Sequence, residues 1–531
     1  MTNIKILDCT LRDGGYINDW NFGYDNIKSM IARLTKSKID IVECGFLEDS
    51  NYNKECSFFS NVDEIKKILP EDSGDVQYVA MTRYGYLNID HLKEYDGKSI
   101  NGIRVTFHEE EAEEAIEYCR QIQEKGYKVY VQPVGTTSYT DSFLLKIIEI
   151  VNKIKPFAFY IVDTLGLMRK NDLLRMFYLI DNNLQKDIVV GFHSHNNLQL
   201  SFSNAQELAD LHTKRSIIID SSVYGMGRGA GNLNTELIAQ HLNSVKDKDY
   251  SADYLLEIID DTINPILEKH SWGYSVPYYL AAINNCHPNY ATYLMNRKTL
   301  QVKAISNILN TITLDKRELY DEKYILELYS LYQKHNIDDH NDLEALSEEF
   351  KGKRVLVLAP GASIREQYEE IKQYLTFNEV KIISVNFSGD EIKPDFYFFS
   401  NDKRFQKSKE SLVDKENRAI ISSNVEGNTE YYKYKINYSD YLNSQPLVND
   451  NATLMLFALL IKLKVKQIDI AGFDGFIYNA NDNYAIETLE THLEESVVLE
   501  LNAQIANVVR DFEQKVRLNF ITDSLYNPVL V

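Results

Sequence analysis

The feature that most constrains this 531-residue chain is a repeat. Up to about residue 245, short β-branched and apolar runs alternate with longer stretches of helical amphipathic period. The runs predict strands near Ile4–Asp8, Ile39–Gly45, Val76–Thr82, Gly102–Phe107, Lys128–Val134, Phe157–Asp163, Ile188–His195 and Ser216–Tyr224. Eight strands joined through helices suit a closed (β/α)8, or TIM, barrel. A doubly wound open sheet is the rival. It usually has fewer strands and a glycine fingerprint after the first, which LDCTLRDGGY (7–16) does not provide.

Polar residues stand at the C-terminal ends of these otherwise apolar runs, where barrel enzymes keep their chemistry. They are Arg12 and Asp13, Glu43, Arg83, Arg104 and His108, Gln132, Asp163, and His193 with His195. One such residue is an ordinary strand cap; one from nearly every strand points to a site.

The remainder divides in two. The barrel is assigned to residues 1–270, a helical cover and linker to 271–348, and a Rossmann-like α/β domain to 349–531. The class is α/β throughout. The aromatic segment SWGYSVPYYLAAINNCHPNY (271–290) is suited to covering the barrel mouth or to a subunit contact.

A net charge of −21 argues against nucleic-acid binding and against an anionic membrane surface, though not against a local basic pocket. The five scattered cysteines form no CxxC pair and are expected to be reduced thiols. The N-terminus lacks a signal-peptide pattern, and the apolar run Leu454 to Leu463 is too short to span a bilayer. The expectation is a soluble, cytoplasmic protein with no membrane partner.

GFHSHNN (191–197) is the strongest local signal. Alternate residues of a strand share a face, so His193 and His195 point the same way and offer two imidazole ligands; two surface histidines at a strand end are the plain alternative. Asp13 follows the first strand, which neighbours the later strands around a closed barrel, and adds a carboxylate. Asn232, in GRGAGN (227–232), is either an amide ligand or the N-cap of the next helix. A mixed nitrogen and oxygen set without sulfur suits Mg²⁺ or Mn²⁺, with Co²⁺ also compatible.

LDCTLRDGGY (7–16), VECGF (42–46), VDTLG (162–166), FHSHNN (192–197) and GMGRGAGN (225–232) together resemble the DRE-TIM metallolyases, a family that includes 4-hydroxy-2-oxovalerate aldolases and hydroxymethylglutaryl-CoA lyases. The resemblance covers roughly residues 3–290 and is nearest the 4-hydroxy-2-oxovalerate aldolase branch. It implies a metal-dependent aldolase that works on a 4-hydroxy-2-oxo acid through a pyruvate enolate. It also implies a homo-oligomer. Asp13, His193 and His195 would hold the divalent metal, with Asn232 near it. Arg12 would stabilise the enolate, Glu43 would orient Arg12, and Thr164 would place a hydroxyl near the substrate. Related aldolases carry a histidine base shortly after the RDG turn; Tyr16 stands there in this chain, with His108 and His287 as other candidates.

Beyond the linker, VLVLAPGASI (355–364) reads as strand, turn and helix start near Ser363, where backbone N–H groups either hold a phosphate or serve an ordinary turn. Residues 350–480 loosely resemble nucleotide-sugar-using domains of the sialyltransferase-like and motility-accessory types. That resemblance implies a nucleotide or nucleotide-sugar ligand and a product used in a surface polysaccharide. Two other functions compete: an acyl-CoA-dependent Claisen condensation on the same barrel, and an inactive barrel carrying a nucleotide-sugar-binding or glycosyltransferase-like module.

Overall fold

The computed structural model describes residues 3–297, 299–317, 319–387, 392–413, 418–477 and 495–527. Two compact units result, one from Met1–Thr292 with Ile312–Tyr320, the other from Tyr293–Thr311 with Asp321–Val531. The segment expected to be a separate cover is thus shared between them.

The first unit is a parallel barrel. Its strands are β1 (Ile4–Asp8), β2 (Ile41–Leu47), β3 (Phe58–Phe59), β4 (Gln77–Arg83), β5 (Gly102–Phe107), β6 (Lys128–Pro133), β7 (Ala158–Asp163), β8 (Val189–Ser194) and β9 (Ile217–Ser221). Eight close the barrel, because β1 pairs with β9 on one side and β2 on the other. The ninth, β3, adds beside β2 and was not expected from sequence. Two residues are too few to show any period.

The last strand ends earlier than expected. Ser222 turns out of β9 and its N–H pairs instead with Leu233 O, so Val223–Gly225 form a tight turn with Tyr224 at φ 55°.

Strand alternation separates two apolar layers. Leu7, Ile41, Val79, Tyr130, Tyr160 and Ile218 fill the barrel interior. Ile6, Val42, Val105, Phe159, Val190 and Phe192 face outward into the layer beneath the helices. The helix Asp141–Ile154 shows how that layer forms. Thr140 caps it by accepting the Phe143 N–H at 3.2 Å, and Leu144, Ile147, Ile148 and Val151 recur on its buried stripe. Each such side chain contributes about 1.5–3 kcal/mol when removed from water.

Among its described residues the second unit carries seven parallel strands: β10 (Arg354–Leu358), β11 (Lys381–Val385), β12 (Phe396–Phe399), β13 (Ala419–Ser422), β14 (Tyr434–Ile436), β15 (Gln467–Ala471) and β16 (Arg517–Phe520). Their order is β14-β13-β12-β11-β10-β15-β16, an open sheet whose direction of winding reverses at β10. The apolar run at 454–463 lies in the helix Ala452–Lys462, which is buried nearly all round in this unit's core. Among the described residues, no helix is long and apolar enough to cross a membrane.

Of the two readings of Ser363, phosphate site or ordinary turn, the geometry after β10 favours the turn. The Ser363 N–H already donates to Asp474 Oδ2 at 2.9 Å, and its hydroxyl donates to the same carboxylate. An internal carboxylate therefore takes the position a phosphate would need. All five cysteines are unpaired, and four of them are buried.

Candidate active site

The C-terminal ends of the barrel strands bring together two guanidiniums and three carboxylates. Arg12, just after β1, ion-pairs with Glu43 of β2 at 2.9 Å and with Asp13 at 2.5 Å. Glu43 Oε2 also lies 2.9 Å from Arg104 of β5, and Arg104 ion-pairs with Asp220 of β9. Asp220 accepts from His193 Nδ1 at 3.1 Å. All six side chains are buried. Counting Arg12 and Arg104 against Asp13, Glu43 and Asp220 leaves one uncompensated negative charge, the balance that suits a bound cation.

Asp13, His193 and His195 each present a ligand atom, and these lie within 4.8 Å of one another. Burial alone would raise the Asp13 pKa, but Arg12, His195 and His193 overcome that and hold the carboxyl well below the usual carboxylate range. Burial lowers the His195 pKa to about 4, so its imidazole is neutral at pH 7, as a metal ligand must be. His195 Nδ1 is buried without a protein partner. The contact between His193 Nδ1 and Asp220 leaves Nε2 as its ligand atom, an arrangement common around metal-bound histidines. The residues therefore fit a divalent cation.

Asn232 does not cap the following helix; Asn234 occupies the N-cap of Thr235–Lys246. Asn232 Nδ2 donates to Asp13 Oδ2 at 2.6 Å, and the buried Asn232 Oδ1 has no partner. The GRGAGN turn wraps closely around this pair. A Cβ at Gly227 would fall 2.3 Å from Asn232 Nδ2, so a larger residue there would push Asn232 from its place.

Other predicted residues line the same cavity of about 940 Å³. Thr164 accepts the Gly135 N–H at 2.9 Å, which leaves its own proton free to donate. Arg12 Nη2 is buried and unpaired. Tyr16 packs edge-on against Trp20 and Phe46, with Arg228 over its ring. Burial raises its phenol pKa, so the phenol stays protonated at neutral pH and is not available as a base. His287 is buried with its pKa lowered to about 4, by burial first and then by Arg228. Its Nδ1 accepts the Asn289 N–H at 3.2 Å, so the neutral ring carries its proton on Nε2. His108 is exposed on the cavity wall. Asp163 is spent on the loop after β7, accepting the N–H groups of Leu167 and Met168 at 2.9 Å each. From the segment after the barrel, Asn285 and His287 line the mouth.

Sequence reasoning missed Asp220. The signal was present in IIID (217–220): Ile218 faces the barrel interior, so Asp220, two residues on, shares that face. Arg228 was quoted within a motif but given no role.

Residues 3–261 match the HMGL-like family model. A 4-hydroxy-2-oxovalerate aldolase of Pseudoalteromonas translucida is 22% identical over 270 residues, 50% of this chain and 77% of the relative. An oxaloacetate decarboxylase of Mycobacterium tuberculosis is 24% identical over 245 residues, 45% of this chain and 69% of the relative. A solved N-terminal domain of a proposed aldolase from Bacteroides vulgatus is 26% identical with a TM-score of 0.49, covering 55% of this chain and 96% of that one. With these motifs in family order around the barrel mouth, residues 3–261 of this chain are an HMGL-like (DRE-TIM) domain.

Proposed function

We propose that the barrel is a divalent-metal-dependent carbon–carbon lyase that cleaves a 4-hydroxy-2-oxo acid to pyruvate and an aldehyde. The reading rests chiefly on the convergence of Asp13, His193 and His195 beside a buried Arg12 with an unpaired Nη2. In the cleavage the C4 hydroxyl loses its proton and the C3–C4 bond breaks. Its electron pair moves between C2 and C3, and the resulting enolate takes a proton at C3. Bound Mg²⁺ or Mn²⁺, with Co²⁺ as an alternative occupant, would serve as the Lewis acid for the 2-oxo acid.

Arg12 directs Nη2 to the developing enolate oxygen, and such a donor is worth on the order of 3 kcal/mol in the transition state. Glu43 fixes that guanidinium through Nε, and Asn232 steadies Asp13. The Thr164 hydroxyl donates to the substrate. Tyr16, kept neutral because burial raises its phenol pKa, contributes as a hydrogen-bond donor rather than as the base.

A second reading is favoured by the relative named oxaloacetate decarboxylase and by Tyr16 being a poor base. Decarboxylation of a 2-oxo diacid yields the same pyruvate enolate and needs no base at a C4 hydroxyl.

The test is pyruvate release from 4-hydroxy-2-oxo acids and, in parallel, from oxaloacetate, with Mn²⁺ or EDTA, on wild type and Asp13→Ala. Release from the hydroxy acids that is lost with EDTA and with Asp13→Ala supports the aldolase. Release from oxaloacetate alone selects the decarboxylase. No release from either, with free thiol produced from acetyl-CoA and a 2-oxo acid, sinks both in favour of the Claisen condensation.

A further inference from the structure

We infer that the aldehyde half of the substrate carries an anionic group, carboxylate or phosphate, at the end remote from its carbonyl, received by Arg228 and Arg317 at the cavity mouth. The inference rests on the aldolase reading above and names its substrate class.

The cavity, at about 940 Å³, lies near the upper end of small-molecule sites and far exceeds what a three-carbon acid fills. Five arginines line it. Three are committed: Arg12 to Glu43 and Asp13, Arg83 to Glu48 at 2.6 Å, and Arg175 to Asp141 at 2.7 Å. Arg228 and Arg317 are not. Among the described residues no carboxylate pairs with either. Arg228 lies over the Tyr16 ring at 5.2 Å, and the Arg317 guanidinium donates through Nε to Ile312 O at 3.2 Å. This is unusual in a chain with 78 acidic residues against 57 basic ones.

His287 lines the same cavity as the two arginines, and its backbone N–H donates to Arg317 O at 2.7 Å. The neutral ring presents Nε2–H, a third donor without charge of its own. Two guanidiniums without a carboxylate partner and an imidazole N–H, all lining one cavity, offer donors to an oxyanion, and guanidinium suits carboxylate and phosphate alike. Arg228 also sits in the loop after the last barrel strand, a position that often holds phosphate in this architecture. Glu111 and Asp172 line the cavity too, but each accepts a backbone N–H of its own turn, from His108 at 3.1 Å and Arg169 at 3.2 Å.

The test uses matched 4-hydroxy-2-oxo acids ending in methyl, carboxylate or phosphate, with pyruvate release measured on wild type, Arg228→Gln and Arg317→Gln. An anionic terminus is expected to raise kcat/KM over methyl by about tenfold or more, and either variant to erase most of that ratio through KM. The carboxylate and phosphate arms identify the anion. A methyl terminus that serves equally well, or a ratio unmoved by both variants, overturns the inference.

Calorimetric titration of the same three proteins with inorganic phosphate and with succinate separates the two claims. Tighter binding to wild type than to the variants, with no pyruvate from any acid, refutes the aldolase and keeps the anion site. Pyruvate release with neither preference nor binding does the reverse, and failure of all readouts refutes both.

Discussion

Asp220 offers the sharpest test of how the barrel prepares its metal site. One oxygen, Oδ2, serves both His193 Nδ1 at 3.1 Å and the Arg104 guanidinium, while Oδ1 is buried without a partner. In Asp220→Asn the amide oxygen can keep the Oδ2 position and both contacts, so only the charge is lost. In Asp220→Ala the contacts go as well. Removing an outer partner of a metal-binding histidine typically weakens metal binding tenfold to a hundredfold, or about 1.4–2.7 kcal/mol. Asparagine is expected near the lower end and alanine near the upper.

Alanine has a second effect. It leaves Arg104, fully buried, with Glu43 as its carboxylate partner. Breaking a buried pair costs about 3–5 kcal/mol, and the surviving Glu43 contact places the loss toward the lower figure. Calorimetric Mn²⁺ titration gives the first quantity and urea unfolding in EDTA the second. Mn²⁺ affinity within twofold of wild type in both variants would refute the reasoning, because Asp220 would then contribute nothing to His193.

Four further outcomes can be measured. Arg12→Lys should lower kcat for pyruvate release by about a hundredfold, since a single ammonium nitrogen cannot occupy both the Nε position on Glu43 and the separate Nη2 position; a loss under threefold would remove Arg12 from the enolate. Tyr16→Phe should cost less than about tenfold in kcat/KM if the phenol only donates, whereas a loss beyond a thousandfold would restore it as the base.

Asp8 is buried in β1 with its carboxyl pushed up to about 6 by burial, against hydrogen bonds from Thr235 and Thr10. The fold holds that proton more tightly than the unfolded chain. The contribution of Asp8 to stability therefore falls by about 3 kcal/mol as pH rises from about 4 to 6 and is level above. The unfolding free energy of Asp8→Asn, compared with wild type between pH 4.5 and 7.5, should lack this slope; a difference independent of pH counts against it. Gly45 has φ 143°, and a Cβ there would lie 2.0 Å from Ser57 O, so Gly45→Ala should destabilise the barrel by at least about 2 kcal/mol in urea unfolding.

The chain's local patterns alone determined the barrel and the direction of its histidines. Alternation of apolar runs with amphipathic helices sets eight strands, and the two-residue period of a strand turns His193 and His195 to one face. Both are properties of consecutive residues, so they are legible without knowing what lies across the fold.

Partnerships were decided only by the tertiary structure. Closure of β1 onto β2 and β9 brings Asp13 to histidines 180 residues and more away in sequence. The same closure makes Glu43 a bridge between Arg12 and Arg104, and gives Asp220 two buried donors. Asn232 could have been an amide ligand or a helix cap by pattern; the fold gives the N-cap to Asn234 and sets Asn232 Nδ2 2.6 Å from Asp13. Ser363 looked equally ready for a phosphate until Asp474, 111 residues on, took its N–H. Coulomb and hydrogen-bond energies depend on distance through space and on exclusion of water, and neither is encoded in the spacing of residues along the chain.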